Sequence, residues 1–391
     1  MCHAISDTST TTSLSGTRNI RDFFNARDAA FDAQTTLAHI SLASKWLNAV
    51  ATPHLYHRPA CSEWWPLART LLARPDLALH VRYLYDYFQD DTFKEWVNDG
   101  DFPFPPEIAR HFSTSRLARM ALGEEVIPDY PPIREAWDFW MWESAESFDM
   151  LASLCPNVRH IPMGPIRSPH PFTYSDPRSL MRVELVEIGL SHCKENSVDV
   201  NMLAQIATVA PRITCILWES NPKPEALARP LDACPNLRLL VYESLVRRWH
   251  STTSETSYEL QETIARYAPN LTSLNIYRLG GMLAAQILRG RESPLSRLSR
   301  LKHLEMGLEC LVPPRSGSRD PCMRRMLFVD VLPATIRSVR ITWPLSKLNR
   351  ELRPLFRSLI RLASLLPERF PRLQSVTNCG LSPDGVPVEE I

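Results

Sequence analysis

Two pairs of side chains have the types and spacing that chemistry could use. His54 and His57 lie three apart, just after Pro53, and offer two imidazoles to a metal. A stable zinc site wants three or four protein ligands, and no third candidate lies nearby in the sequence. Cys310 and Cys322 flank a stretch that continues into Arg324-Arg325, where neighbouring cations could depress a thiol pKa. Neither pair belongs to a recognisable catalytic constellation. The chain has no glycine-rich phosphate loop, no H-E-x-x-H and no G-x-S-x-G. We therefore expect no enzyme: no catalytic residue, no cofactor and no bound metal.

The elements around these residues must be read from composition first. At about 100–200 residues per domain, 391 residues make two or three domains or one extended array. Lys plus Arg number 44 and Asp plus Glu 43, a net of +1, which argues against a chain that coats nucleic acid. A hydrophobic fraction of 44% supports a sizeable core. Only 12 Gly stand against 33 Pro, so interrupted elements are expected rather than glycine-rich turns. The nine Cys are scattered with no C-x-x-C, as suits a reducing compartment, and Cys215 sits in an apolar run like a small core residue. Met1–Thr17 lacks the apolar stretch of a signal peptide, and no run of about 18 apolar residues is present. The expectation is a cytoplasmic or nuclear protein with no membrane and no nucleic acid among its partners.

A short pattern recurs: apolar, two residues, apolar, one residue, apolar. Full copies begin at Leu180, Leu271, Leu301 and Ile336, and looser ones at Val158, Ile213, Leu237 and Leu373. Polar residues alternate with the last two apolar positions, which predicts short half-buried strands. A proline often precedes the copy, as at Pro156, Pro211, Pro235, Pro269 and Pro371. Helical stretches come before it, namely Asn201–Ala210, Pro224–Cys234, Glu259–Ala268 and Leu348–Leu366. The starts are 22, 33, 24, 34, 30, 35 and 37 residues apart. This array resembles a degenerate leucine-rich repeat solenoid, one strand and helix per unit, α/β in class. An α/β domain with a parallel sheet would read the same way.

Toward the N-terminus, apolar residues at 37, 40, 43, 47, 50 and 51 predict one amphipathic helix, closed by Pro53, with Trp46 beside the apolar face. Leu37, Ile40, Ser41, Leu42, Trp46, Ala51, Thr52, Pro53, Leu55 and Tyr56 match in order the second half of an F-box as fungal proteins carry it. The stretch from Leu71 to Leu84 resembles the repeat-like unit that follows in that family. The family's opening L-P-x-E-I is absent; Asn19–Phe24 offers apolar residues without Leu-Pro. A capping helix for the array is the plainer alternative. The resemblance implies a disordered tail at 1–19 and a partial F-box-like module at 20–60. After them come a solenoid at 61–380 and a C-terminal tail at 381–391. It implies a substrate receptor of an SCF-type ubiquitin ligase, with Leu37, Ile40, Leu42 and Trp46 facing a Skp-type adaptor of the cullin complex. An unknown protein target would lie on the strands. The alternative is a repeat scaffold that no longer binds the adaptor.

Charge is uneven. Residues 86–150 carry fifteen acidic and five basic residues, together with Trp137, Trp140 and Trp142, and read as an acidic insertion. Those aromatics would form either a small core or a partner surface. Residues 315–372 carry thirteen basic and four acidic residues. There Arg350, Arg353, Arg357 and Arg361 line one face of a helix opposite a row of leucines. That face is either solvated or a weak candidate for binding the target.

Overall fold

The computed structural model describes residues 33–59, 64–84, 106–112, 118–119, 122–124, 149–163, 181–189, 211–219, 224–243, 254–277, 293–307, 332–344, 360, 362–366, 368–381 and 387–388. Most of the acidic insertion, all four arginines of the C-terminal helix, and Cys310 and Cys322 lie outside these residues. So do the opening stretch Asn19–Phe24 and the helix expected over Asn201–Ala210. The chain forms two compact units, one within residues 26–213 and one within 214–391. It is a mixed α/β protein whose strands pair in parallel.

In the first unit, residues 33–43 are helical and α1 (Lys45–His57) follows, then α2 (Trp64–Ala73), α3 (Pro75–Ala78) and α4 (Pro106–His111). Strands β1 (His160–Met163) and β2 (Leu185–Gly189) pair in parallel, His160 opposite Leu185. Tyr83 makes a further parallel bridge to His160.

The second unit holds seven strands in chain order: β3 (Cys215–Glu219), β4 (Leu239–Glu243), β5 (Ser273–Tyr277), β6 (His303–Gly307), β7 (Ser338–Pro344), β8 (Ser375–Leu381) and β9 (Pro387–Val388). Pairing is parallel from β3 to β8, with α5 (Pro224–Asp232) and α6 (Ser254–Tyr267) between strands. β9 turns back antiparallel on β8. Pro387 and Val388 were expected in a loose tail and instead extend the sheet.

One backbone device recurs at the starts of the parallel strands. The first apolar residue of a copy sits two places before the strand and is buried in six of them: Val158, Ile213, Leu237, Leu271, Leu301 and Ile336 are all 0–1% exposed, while Leu373 before β8 is half-buried. Its N–H donates to the carbonyl three residues back, as Leu237 does to Cys234 and Leu271 to Ala268, closing a turn around the Pro-x pair. Next comes the bracing to the preceding coil. The Arg238 carbonyl accepts the N–H groups of both Thr272 and Ser273, and the Thr272 carbonyl those of Lys302 and His303. Lys302 and Arg337 repeat the arrangement for the strands that follow them. Asparagine at the turn adds a side-chain tie, Asn270 Nδ2 to the Pro235 carbonyl at 3.0 Å and Asn157 Nδ2 to the Leu79 carbonyl at 2.9 Å. Burying each leucine of the column contributes about 1.5–3 kcal/mol, so the column rather than any single helix holds the stack together.

Three expectations change. The second copy starts at Val183, not Leu180, because Leu185 pairs with His160 and Val183 occupies the buried place, 0% exposed. Val183-x-x-Val186-x-Ile188 fits the same apolar pattern, so two overlapping frames were open and only pairing separates them. Leu271, Leu274 and Ile276 are inside as expected, with Thr272 and Ser273 half-buried. β5 and β6, however, are not half-buried: Asn275 is 2% and Glu305 0% exposed on the other face, so both faces are covered there, as in sheets of parallel strands, while Ser375, Val376 and Thr377 of β8 stay exposed. Finally, α6 begins at Ser254, ahead of the expected Glu259, and the copy at Leu301 is preceded by a single 3-10 turn, Pro294–Arg297.

Candidate functional site

The residues matched to the F-box lie on residues 33–57. They do not form one helix. The helix over 33–43 stops at Ser44, whose extended backbone and hydroxyl, accepting the Leu47 N–H at 3.1 Å, cap the start of α1. Pro53 lies inside α1 rather than ending it. An interior proline removes one helix hydrogen bond. Here the last turn is held from outside: the His57 carbonyl accepts the N–H groups of Arg82 at 3.0 Å and Tyr83 at 3.2 Å. Thus α1 ends on the same two-donor carbonyl that recurs at the strand starts, and it is tied to the chain before Tyr83. The expectation that Pro53 closes the helix fails because tertiary bracing outweighs the lost bond.

Ring contacts tighten this junction. His57 packs on Tyr83 with centroids 5.3 Å apart, Arg58 lies 4.5 Å over the Tyr83 ring, and Tyr83 meets His160 at 6.1 Å. Burial, helped by the cations Arg58 and Arg82 and then by His54 and Arg159, lowers the His57 pKa to about 4. An imidazole held neutral against two arginines and a tyrosine ring is a packing element. His54 is exposed, and among the described residues no group of three His, Cys, Asp or Glu could hold a metal ion.

At the other end of the stretch, the apolar side chains are uncovered. Leu42 is 82% exposed, Trp46 71% and Ile40 39%; Leu37 is half-buried, and in α1 only Ala51 is buried. Of the four residues named for the adaptor, three therefore stand in solvent. Removing a large apolar side chain from water on binding contributes about 1.5–3 kcal/mol, so each of these three exposed side chains is a candidate contact for an apolar partner.

The strand face opposite the leucine column changes character along the second unit. It is apolar at Cys215, Leu217 and Val241, then polar at Ser273, Asn275, His303, Glu305, Ser338, Arg340 and Thr342. His303 Nδ1 lies 2.7 Å from Ser338 Oγ, and Arg340 Nε lies 3.8 Å from Glu305 Oε1. A serine beside a histidine invites a nucleophile reading, but activation needs the imidazole oriented by a third group. Among the described residues no carboxylate meets the other ring nitrogen of His303. Burial, then Lys302 and Arg337, holds its pKa below the usual histidine value. Sequence reasoning did not select these residues, because a polar residue in a strand pattern reads as solvent-facing whether or not something covers it.

The buried cysteines have a structural place. Cys155 and Cys234 both supply the carbonyl that closes the turn before a strand, a position that takes small or apolar residues elsewhere (Ala78, Ala268, Leu298 and Phe370). Burial pushes both thiols up to about 12, so they are protonated and unreactive at neutral pH. No helix among the described residues is long and apolar enough to cross a membrane.

No family model matches the sequence, and no curated protein does. Among solved structures, a complex of TLR13 with the single-stranded RNA ssRNA13 is similar at 9% identity and a TM-score of 0.30. The match covers 59% of this chain and 34% of that one.

Proposed function

We propose that this chain is the substrate receptor of an SCF-type ubiquitin ligase, an F-box-like helical module followed by an irregular leucine-rich-repeat solenoid. The observation that carries the reading is the exposure of Ile40, Leu42 and Trp46 on the stretch that resembles an F-box. A capping helix of the array would turn those side chains inward, as Ala51 is turned. The repeat reading is supported by the recurring strand start, each braced on the carbonyl before it, because a unit of this kind buries its apolar column only by stacking on neighbours.

On this reading the chain performs no chemistry. It holds a target protein beside a ubiquitin-loaded enzyme, and the rate gain comes from effective concentration. The half-buried Leu37 lies beside the exposed residues and contributes to the adaptor surface.

Co-purification with a Skp-type adaptor tests this. The wild-type chain should capture the adaptor at micromolar concentration. Changing Ile40, Leu42 and Trp46 together to Asp should abolish capture and leave thermal melting unchanged, since carboxylates desolvated at an apolar interface cost several kcal/mol. A wild-type chain that captures no adaptor rejects the receptor reading. The missing L-P-x-E-I opening would then favour the second one, a repeat scaffold of another assembly.

A further inference from the structure

The buried column that sets the strands is flanked on both sides by outward positions, and in the second unit these are basic. The residue before the buried one is Arg300 on the β6 coil and Arg372 on the β8 coil; the residue after it is Arg238 on β4, Lys302 on β6 and Arg337 on β7. No flanking position from β4 to β8 carries Asp or Glu; the others are Asn236, Asn270, Thr272, Thr335 and Gln374. Arg238, Arg300 and Arg372 are exposed, and Lys302 and Arg337 are half-buried. Among the described residues none of the five forms an ion pair, although other cations do, as Arg297 does with Glu262. Burial first, and then the fields of Lys302 and Arg337, lowers the His303 pKa, so two of these cations act on the same strand-start position.

At the β7–β8 end the rim is also concave. An open cavity of about 470 Å³ is lined by Arg337, Pro371, Arg372, Leu373 and Gln374. Arg337 and Arg372 thus stand at a hollow that Pro371, Leu373 and Gln374 complete.

We infer that this strand-start rim binds an acidic peptide segment of a partner protein, laid across the strands with carboxylates on Arg238, Arg300, Lys302, Arg337 and Arg372 and its end in the Arg337–Arg372 hollow. The geometry fits. Parallel strands lie about 4.8 Å apart, so β4 to β8 spans roughly 19 Å, the length of about six extended residues. Arginine's planar fork takes a carboxylate in two bonds. Nucleic acid would meet the same charge, but single strands are held by aromatic platforms between the cations. The rim residues 235–238, 269–272, 299–302, 334–337 and 371–374 include no aromatic. The rim lies in the second unit and residues 37–46 in the first, and the inference does not rest on the ligase reading.

Fluorescence anisotropy of the full chain with a labelled octaglutamate peptide tests it. Wild type should bind, more weakly as salt rises. Arg337→Gln with Arg372→Gln should weaken binding about tenfold, with the melting curve unchanged because Arg372 is exposed, Arg337 only half-buried, and neither forms an ion pair among the described residues. Arg337→Lys with Arg372→Lys should recover part of the affinity, since charge is kept and the fork is lost. Arg229→Gln with Arg266→Gln, two exposed helix arginines of the same unit, should have no effect. Absence of wild-type binding at about 1 mM peptide overturns the proposal. So does a rim variant that binds like wild type, or equal weakening by the helix variant. A labelled oligouridylate of equal charge that binds more tightly than the peptide overturns it in favour of nucleic acid.

Discussion

Residues 33–57 repeat apolar residues at helical steps and the strand starts at 237–241 and 271–276 at strand steps, and the molecule treats the two patterns in opposite ways. Leu237, Leu240, Leu271 and Leu274 are 0–1% exposed, while Leu42 and Trp46 stand almost bare. Periodicity defines a face but does not say what covers it. In the array the cover is the next coil, supplied by the chain itself and held by a carbonyl that accepts two N–H groups. On the N-terminal helices nothing among the described residues covers the face. The difference therefore separates apolar residues that make the fold from apolar residues that the fold presents.

The sharpest way to break this contrast is a charge on each side of it. Leu274→Asp should unfold the second unit, because an unpaired carboxylate in a fully buried place costs more than the roughly 5–15 kcal/mol by which domains are stable can absorb once packing is also lost. A wild-type thermal melt for Leu274→Asp would refute the repeat assignment. Leu274→Ala should cost about 2–5 kcal/mol, read from denaturant midpoints. Acid should come next. His57 is held neutral in the fold, with a pKa of about 4 against an ordinary 6.5. The unfolded chain then binds more protons between those values, so stability is full above about pH 6.5 and declines as pH falls toward 4. His57→Gln should flatten that part of the melting-temperature profile; an identical profile would place the acid sensitivity elsewhere.

Smaller effects test the details. Asn270→Ala removes the tie to the Pro235 carbonyl and should cost about 1 kcal/mol. Ser44→Ala removes the cap of α1 and should cost about 0.5–1 kcal/mol. At the bottom of the scale, Leu42→Asp or Trp46→Asp should shift stability by no more than about 0.5 kcal/mol. A large loss from either would mean that these side chains belong to the fold after all, and the contrast would collapse.

How far the sequence foretells this molecule follows from which interactions have a side-chain signature. Strand starts were legible because each needs a buried aliphatic residue and commonly a proline just before it. The frame at Val183 was not, since Leu180 and Val183 both satisfy the pattern and only inter-strand pairing chooses between them. The turn-closing position of Cys155 and Cys234 was invisible because its work is done by a carbonyl and the side chain need only be small or apolar. The break at Ser44 hid within an unbroken run of apolar steps, and its capping partner three residues on is Leu47 rather than the Glu or Gln that would have flagged it. For the candidate site, residue identities could be read but their exposure could not. The polar strand residues around His303 and Glu305 were passed over because burial on the second face depends on what lies above it. The basic rim escaped notice because its members on different coils are 35 or more residues apart and become neighbours only through the stacking.

The two-donor carbonyl has a consequence for how such a chain changes over generations. Register is fixed within a few residues around each strand start, so the length of the path between starts carries no information about alignment. Successive starts in the second unit are 34, 30, 35 and 37 residues apart, from Leu237 to Leu373, yet their strands pair in the same phase. Insertions and deletions in the intervening stretches are therefore filtered by whether they disturb one small hinge of backbone, not by their size. A gene of this design can lengthen or trim its outer segments freely while its strand starts stay aligned. Its copies would then lose any common period long before they lose their common geometry.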